Sequence, residues 1–527
     1  MKNVIKAACF YLLFLCLMIA LFSQKSNFHM DEVWSYGLAN HDGDIVMDAE
    51  LGKKYDPEAP FLDYLAVRDD QRFDYSKVWE NQRNDNHPVL YYVLLHTISS
   101  FYPGTFSKWF GAVINIAFGL LLLFALRQFL LVLTRSSRIR DLVSLAFILT
   151  YGVLNAMTFI RMYVMAMFWV TALAFAMLRL LDKEQGRPAP EGMRASPLWY
   201  DLLAIYAITA LSGVTHYYCI VWSVFLTLGA VVFLLVKKRW KGALRLLGVQ
   251  ALAAGTAVAI FPTILFHIFS GDRGSQSMEN LQNTSEDAGH FLTYFRFLNK
   301  ELFGGLLILF LVVLIAFVVV SYVRKQEGEP ERIAWEYYLV LLFPSVLYYL
   351  IISMTTTMQT DRYLYPIYPV VFAMVFGLLG TGINRVLPEQ KTVASMLLGA
   401  ALVLSIGFSY TNPPAPFFEY LYTPHKAYLQ TAEQYQDYDC LCVYHARYQL
   451  PTTYLEAKNY KSITFLWEGN LKHLDELDIA NSDKLIVRVI DEHDGMNVMD
   501  TILDHYTQFS DAEELFTYWA GTTSVLK

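Results

Sequence analysis

Long uninterrupted apolar runs, separated by short polar connections, dominate the first four hundred residues, and these runs lack the periodicity of water-soluble amphipathic helices. A helix needs about 20 apolar residues to cross ~30 Å of hydrocarbon. Runs of roughly that length lie near 4–23, 109–133, 142–160, 162–181, 200–217, 219–236, 243–268, 304–323, 335–353, 365–383 and 391–409. They predict a polytopic α-helical membrane protein with about 11 transmembrane helices. The apolar stretch 88–102 is too short for a span and predicts a helix lying on the membrane surface.

From Tyr410 the pattern changes. Asn412-Pro413-Pro414-Ala415-Pro416 reads as a linker, and short apolar runs at 441–444, 463–466 and 484–490 alternate with helix-permissive stretches such as 498–506. This alternation predicts a small C-terminal α/β domain. The expected division is a membrane domain over 1–409, with a first outer loop over 24–108, and a soluble extracytoplasmic α/β domain over 410–527.

Composition agrees: 55% of the 527 residues are apolar and only 17% charged, which excludes an ordinary soluble protein of this size. Net charge is −7, and no nucleic-acid partner is expected. The positive-inside rule sets orientation. With a cytoplasmic N-terminus (Lys2, Lys6), the inner loops collect the basic groups 127–140, 179–194, 237–245, 324–332 and 385–391, whereas the later outer loops hold only Arg161, Arg273, Arg296, Lys300 and Arg362. The Asp31 loop and the C-terminal domain then lie outside, in a multi-pass cell membrane, bacterial by preference. The first segment lacks a small-x-small site and is expected to stay as an anchor. The sequon Asn283-Thr284-Ser285 falls in an outer loop, and the five scattered cysteines do not make a disulfide framework.

Chemistry concentrates on the outer side. Asp31-Glu32 follows the first span by eight residues, within His29-Met30-Asp31-Glu32-Val33-Trp34-Ser35-Tyr36. A carboxylate pair where membrane meets water is either a solvated loop pair or a base for a substrate presented at the bilayer. The loop closes with Asn84-Asp85-Asn86-His87-Pro88-Val89-Leu90-Tyr91-Tyr92. Arg161 interrupts the apolar stretch 142–181; it is a turn marker or an anion ligand, because a charge at the bilayer is costly unless paired or facing water. Arg362, next to Asp361, offers the same two readings. His216 ends a span beside Tyr217 and Tyr218, either as part of an aromatic belt or as a polar ligand. No dense carboxylate–histidine cluster stands at metal-ligand spacing, and no metal requirement is expected.

The early acid pair, the His87-Pro88-Val89-Leu90-Tyr91-Tyr92 segment, Arg161-Met162-Tyr163 and Arg362-Tyr363-Leu364-Tyr365-Pro366-Ile367-Tyr368-Pro369 together resemble the GT-C class of polyprenyl-phosphate-sugar-dependent glycosyltransferases. The resemblance is to its protein O-mannosyltransferase-like and aminoarabinose transferase-like branch and covers about residues 1–410. It implies an inverting transfer of a sugar from a polyprenyl-phosphate donor to an acceptor hydroxyl on the outer face. Asp31, with Glu32 beside it, takes the catalytic position. Arg161 and Arg362 take the donor-phosphate positions, and Asp85, His87, Tyr163, His216 and Tyr363 lie toward donor or sugar. Many members carry a second proline where this chain has Val89. The implied partners are a lipid-linked sugar donor, a glycan, lipid or protein acceptor, and membrane lipids. A multi-span transporter and an O-antigen-ligase-type glycan transferase are the competing readings. Transporters place ionisable groups in mid-span, whereas here the middles of the runs are almost free of charge.

Overall fold

The computed structural model describes residues 2–43, 45–282, 287–323, 334–356, 358–411, 418–490, 497–518 and 521–527, with side chains of 2–7, 287–288 and 321–322 left out. The sequon 283–285, Arg324, Lys325, Arg332 and the linker 412–416 lie outside the described residues, as do the side chains of Lys2 and Lys6. The chain divides into two compact units. Unit 1 comprises 1–20, 86–91 and 112–419, and unit 2 comprises 21–85, 92–111 and 420–527.

Unit 1 is helical, as the apolar runs predict. Among the described residues, seven helices are long and apolar enough to cross a membrane: Lys108–Thr134, Tyr163–Glu184, Tyr217–Val236, Trp240–Ile260, Trp335–Thr355, Tyr365–Val386 and Lys391–Tyr410. Two bent pairs bring the number to nine. Shorter apolar helices at Ala8–Gln24 and Leu198–Gly213 stand on two further expected spans, and Leu90–Ser99, at ten residues, is too short to cross. The chain is a multi-span helical membrane protein.

Each bend leaves a trace in the hydrogen bonds or the backbone around it. The run expected over 142–160 breaks into Ser137–Phe147 and Tyr151–Thr158 at 61°, and the Ser409 hydroxyl accepts from the Tyr151 N–H that the break releases, at 3.2 Å. The second bend, 70°, separates Gly289–Phe303 from Leu307–Val320. Here Gly304 and Gly305 hold φ of 62° and 84°, a region that side chains disfavour. A Cβ on Gly304 would also lie 2.5 Å from the Cβ of Phe408.

Basic residues at one set of helix ends are tied to acids. Arg127 meets Asp141 at 2.9 Å, Arg135 pairs with Asp182, and Arg179 and Lys183 both reach Asp201.

Unit 2 carries a six-stranded sheet: β1 (Lys54–Tyr55), β2 (Asp439–Tyr444), β3 (Ser462–Trp467), β4 (Leu485–Ile490), β5 (Ala512–Tyr518) and β6 (Gly521–Leu526). Its order is β1-β3-β2-β4-β6-β5, with β3, β2 and β4 parallel and the outer pairs antiparallel. The central strands are buried on both faces, so they read as continuous apolar runs. One face packs Leu441, Val443, Val487 and Val489 against Leu471, Leu474, Val498, Ile502 and Tyr506.

In this division residues 21–85 and 92–111 group with the C-terminal segment 420–527. Three contacts give the reason. β1 adds to the edge of β3, Lys54 pairs with Asp439 at 2.9 Å, and Phe61 packs edge-on to Phe465 at 5.8 Å.

On the other face Cys440 and Cys442, two apart and so on one side of β2, lie beside Arg488. All five cysteines are free thiols. Arg488 donates to the carbonyls of Gly521 and Tyr518 and to Thr523. Glu456, 3.7 Å from it, accepts from Tyr460, Thr523 and Tyr518. The buried charge is thereby paired and hydrogen-bonded, as burial requires.

His425 packs on Tyr518 and accepts from the Asn27 amide at Nδ1, 3.0 Å away. Burial and the Arg488 charge push it down to about 4, below the ordinary value near 6.5. Its depressed folded value means that stability present above pH 6.5 is lost as pH falls toward 4, because the unfolded chain takes up the proton first. We expect a loss of about 1–3 kcal/mol over that window, with partial exposure of the ring reducing the full effect. Denaturation of His425→Gln should show a flatter pH dependence between 6.5 and 4; an unchanged slope would remove His425 as its cause.

Candidate functional site

The acid pair opens the helix Met30–Asn40 in unit 2. His29 is the N-cap: its Nδ1 accepts from the Asp31 N–H at 3.0 Å, and its own N–H donates to Glu32 Oε2 at 2.6 Å. This reciprocal arrangement satisfies two N–H groups that the first turn leaves without partners.

The two acids are not equivalent. Glu32 is fully buried and receives Lys25 Nζ on both oxygens at 2.9 Å. Lys25 also donates to the Tyr420 carbonyl. The side chain of Asp31 keeps 22% of its surface and lies 3.9 Å from His29 Nδ1. Asp31 is thus placed to meet a solute, and Glu32 to hold the helix start. Glu32→Ala strands the buried Lys25 ammonium and is expected to destabilise the protein by about 3–5 kcal/mol. Chemical denaturation would measure this, and a loss below about 1 kcal/mol would contradict the assignment. Asp85 also lies in unit 2, capping the helix Tyr75–Asn84 with its N–H on the Asn81 carbonyl at 3.0 Å.

Six other candidates come together in unit 1. The turn 159–162 between Tyr151–Thr158 and Tyr163–Glu184 presents Arg161, which is only 4% exposed. Its Nη2 donates to His87 Nε2 at 3.3 Å. His87 is positioned by the next turn of chain, where the Leu90 N–H donates to the Val214 carbonyl at 2.9 Å. The His87 ring lies 6.2 Å from that of His216.

His216 caps Tyr217–Val236, and its Nδ1 accepts from the Tyr218 N–H at 3.1 Å. With Nδ1 accepting, the neutral ring carries its proton on Nε2 and is a donor there. Tyr163 lies 5.4 Å from His216 and stacks on Phe159. The Arg362 guanidinium sits 5.8 Å from that same Phe159 ring and 5.7 Å from the Tyr363 ring, within cation–π range. Tyr363 meets Tyr218 edge-on at 5.5 Å. The result is a set of guanidinium, imidazole and phenol donors suited to an anionic, hydroxyl-bearing ligand.

Three carboxyls that sequence reasoning did not select border this cluster. Asp361 accepts from the Arg362 N–H at 2.7 Å and from the Tyr365 hydroxyl at 2.6 Å. Glu301 is fully buried and accepts from Tyr368 at 2.8 Å. The Glu419 N–H donates to Asn155 Oδ1 at 2.9 Å. Glu419 stays open to solvent on one side, yet partial loss of water and the Asp361 charge, opposed by Arg362, push its carboxyl up to about 7. A lone acid far along the chain carries no local signal, and only the charge interruption around Asp361-Arg362 was a usable clue. Among the described residues, no three His, Cys, Asp or Glu side chains gather as a metal-holding group.

These features define a multi-span helical membrane protein with a partly buried cationic and aromatic cluster in its helical unit. Among solved structures the chain is similar to ArnT from Cupriavidus metallidurans bound to undecaprenyl phosphate, at 12% identity and a TM-score of 0.49 over 98% of this chain and 97% of that one. It is similar to ArnT in the apo state at 12% identity and a TM-score of 0.49, over 98% of each chain. It is also similar to the archaeal oligosaccharyltransferase AglB from Archaeoglobus fulgidus, in complex with an inhibitory peptide and a dolichol-phosphate, at 9% identity and a TM-score of 0.42 over 92% of this chain and 69% of that one. No protein-family model matches the chain, and no curated protein matches it by sequence.

Proposed function

We propose that the protein is an inverting glycosyltransferase that moves a sugar from a polyprenyl-phosphate donor to an acceptor hydroxyl at the outer face of the membrane. The observation that carries this reading is the joining of Arg161, His87, His216, Tyr163 and Arg362 in one cluster of unit 1. Two guanidiniums and a neutral imidazole donor suit a phosphate whose charge grows as its bond to the sugar breaks.

Asp31 takes the proton of the acceptor hydroxyl. The freed oxygen forms a bond to the anomeric carbon from the side opposite the phosphate. The carbon–oxygen bond to the donor breaks, and its electron pair leaves with the lipid phosphate. A single displacement inverts the anomeric centre. Arg161 and Arg362 neutralise the departing charge, His87 and His216 orient it, and Tyr163 and Tyr363 line the sugar side. Glu32 positions the helix that carries Asp31, and Asp85 holds the end of the helix before His87.

The test is incubation of the purified chain with a panel of polyprenyl-phosphate sugars and measurement of released lipid phosphate. Release above the no-enzyme control for one donor is expected. Release from none, with the folded protein present, would overturn the reading.

A further inference from the structure

The helix Met30–Asn40 is buried along its length except at Met30, Asp31 and Trp34. Asp31 and Trp34 are three residues apart, so they share one face with about 5–6 Å between their Cβ atoms. This narrow open stripe therefore sets a carboxylate beside an indole.

Across from the indole stands Tyr448, 38% exposed, its ring 6.2 Å from that of Trp34 and tilted by 35°. Tyr448 is the second residue of the 3₁₀ helix Arg447–Thr453. Arg447 anchors that helix to the first outer loop through the Met47 carbonyl at 3.2 Å and the Asp48 carboxylate at 2.6 Å. Among the described residues Trp34 Nε1, just beneath the surface, has no hydrogen-bond acceptor, an unusual condition for an indole N–H in a packed setting.

We infer that Trp34 and Tyr448 form the acceptor subsite, and that the acceptor is a carbohydrate whose pyranose ring stacks on this pair. The inference rests on the proposed reading and deepens it by naming the acceptor class. A pyranose presents an apolar C–H face bordered by hydroxyls. That face covers the indole and phenol rings, a ring hydroxyl supplies the acceptor that Trp34 Nε1–H lacks, and a neighbouring hydroxyl turns toward Asp31. A serine or threonine side chain would bring the hydroxyl but no apolar disc to cover two aromatic rings. A purely interfacial role in an aromatic belt would leave sugar binding independent of either ring.

The test is saturation-transfer NMR on the full chain in detergent, without donor, using maltotriose, cellotriose, chitotriose and mannotriose, with a serine- and threonine-containing hexapeptide as comparator. At least one trisaccharide is expected to receive saturation on its ring C–H protons. Trp34→Ala and Tyr448→Ala should each weaken that binding by about tenfold, the scale of one lost aromatic contact. Trp34→Phe, which keeps the stack and removes the N–H, should fall between. Should Trp34→Ala fail to fold, the exposed Tyr448→Ala carries the test. No trisaccharide binding, binding unchanged in both ring variants, or ring-dependent binding of the peptide alone would overturn the inference. Because no turnover is needed, a negative result here leaves lipid-phosphate release intact as evidence, and the converse holds too.

Discussion

Asp31→Asn is expected to lower sugar transfer by about 10²–10⁴-fold, the span that a positioned general base contributes. Asn keeps the size of the side chain but cannot take a proton. Its neighbour cannot substitute, because Glu32 is buried and engaged by Lys25 and the His29 N–H. The change should fall on turnover rather than on donor affinity, since the role proposed for Asp31 is proton transfer and not phosphate binding. Steady-state kinetics with varied donor separates the two. Transfer within threefold of wild type would remove Asp31 from the reaction.

Arg161→Ala is expected to cost about 10²–10³-fold in turnover over donor KM, comparable with removing one donor from a preorganised charge-stabilising site. Arg362→Ala should act in the same direction. Lysine should rescue neither fully. The Arg161 fork reaches His87 at 3.3 Å, the Arg362 plane lies over aromatic rings, and an ammonium reproduces neither the fork nor the stack. A variant with unchanged donor affinity and turnover would dissolve the phosphate clamp.

The helices were readable because lipid leaves little choice: an apolar run of sufficient length must form its own hydrogen bonds. The bends were harder to read. Gly304-Gly305 was a visible marker of one, but at the break between Phe147 and Tyr151 the released Tyr151 N–H finds its acceptor on Ser409, far along the chain. In the site, Arg161, His87, His216 and Arg362 stood out as polar residues on an apolar background, and proximity in unit 1 then joins them. Asp361, Glu301 and Glu419 did not stand out, because their common neighbourhood exists only in three dimensions. The membership of Lys54–Tyr55 in the sheet was equally hidden, since β1 is only two residues long.

The most direct measurement follows the anomeric configuration of the product by NMR while counting released polyprenyl phosphate, for wild type and Asp31→Asn in parallel. One lipid phosphate per sugar transferred, an inverted anomeric centre, and loss of both signals in Asp31→Asn are expected. Retained configuration, or transfer that persists in Asp31→Asn, would contradict a single displacement driven by that carboxylate.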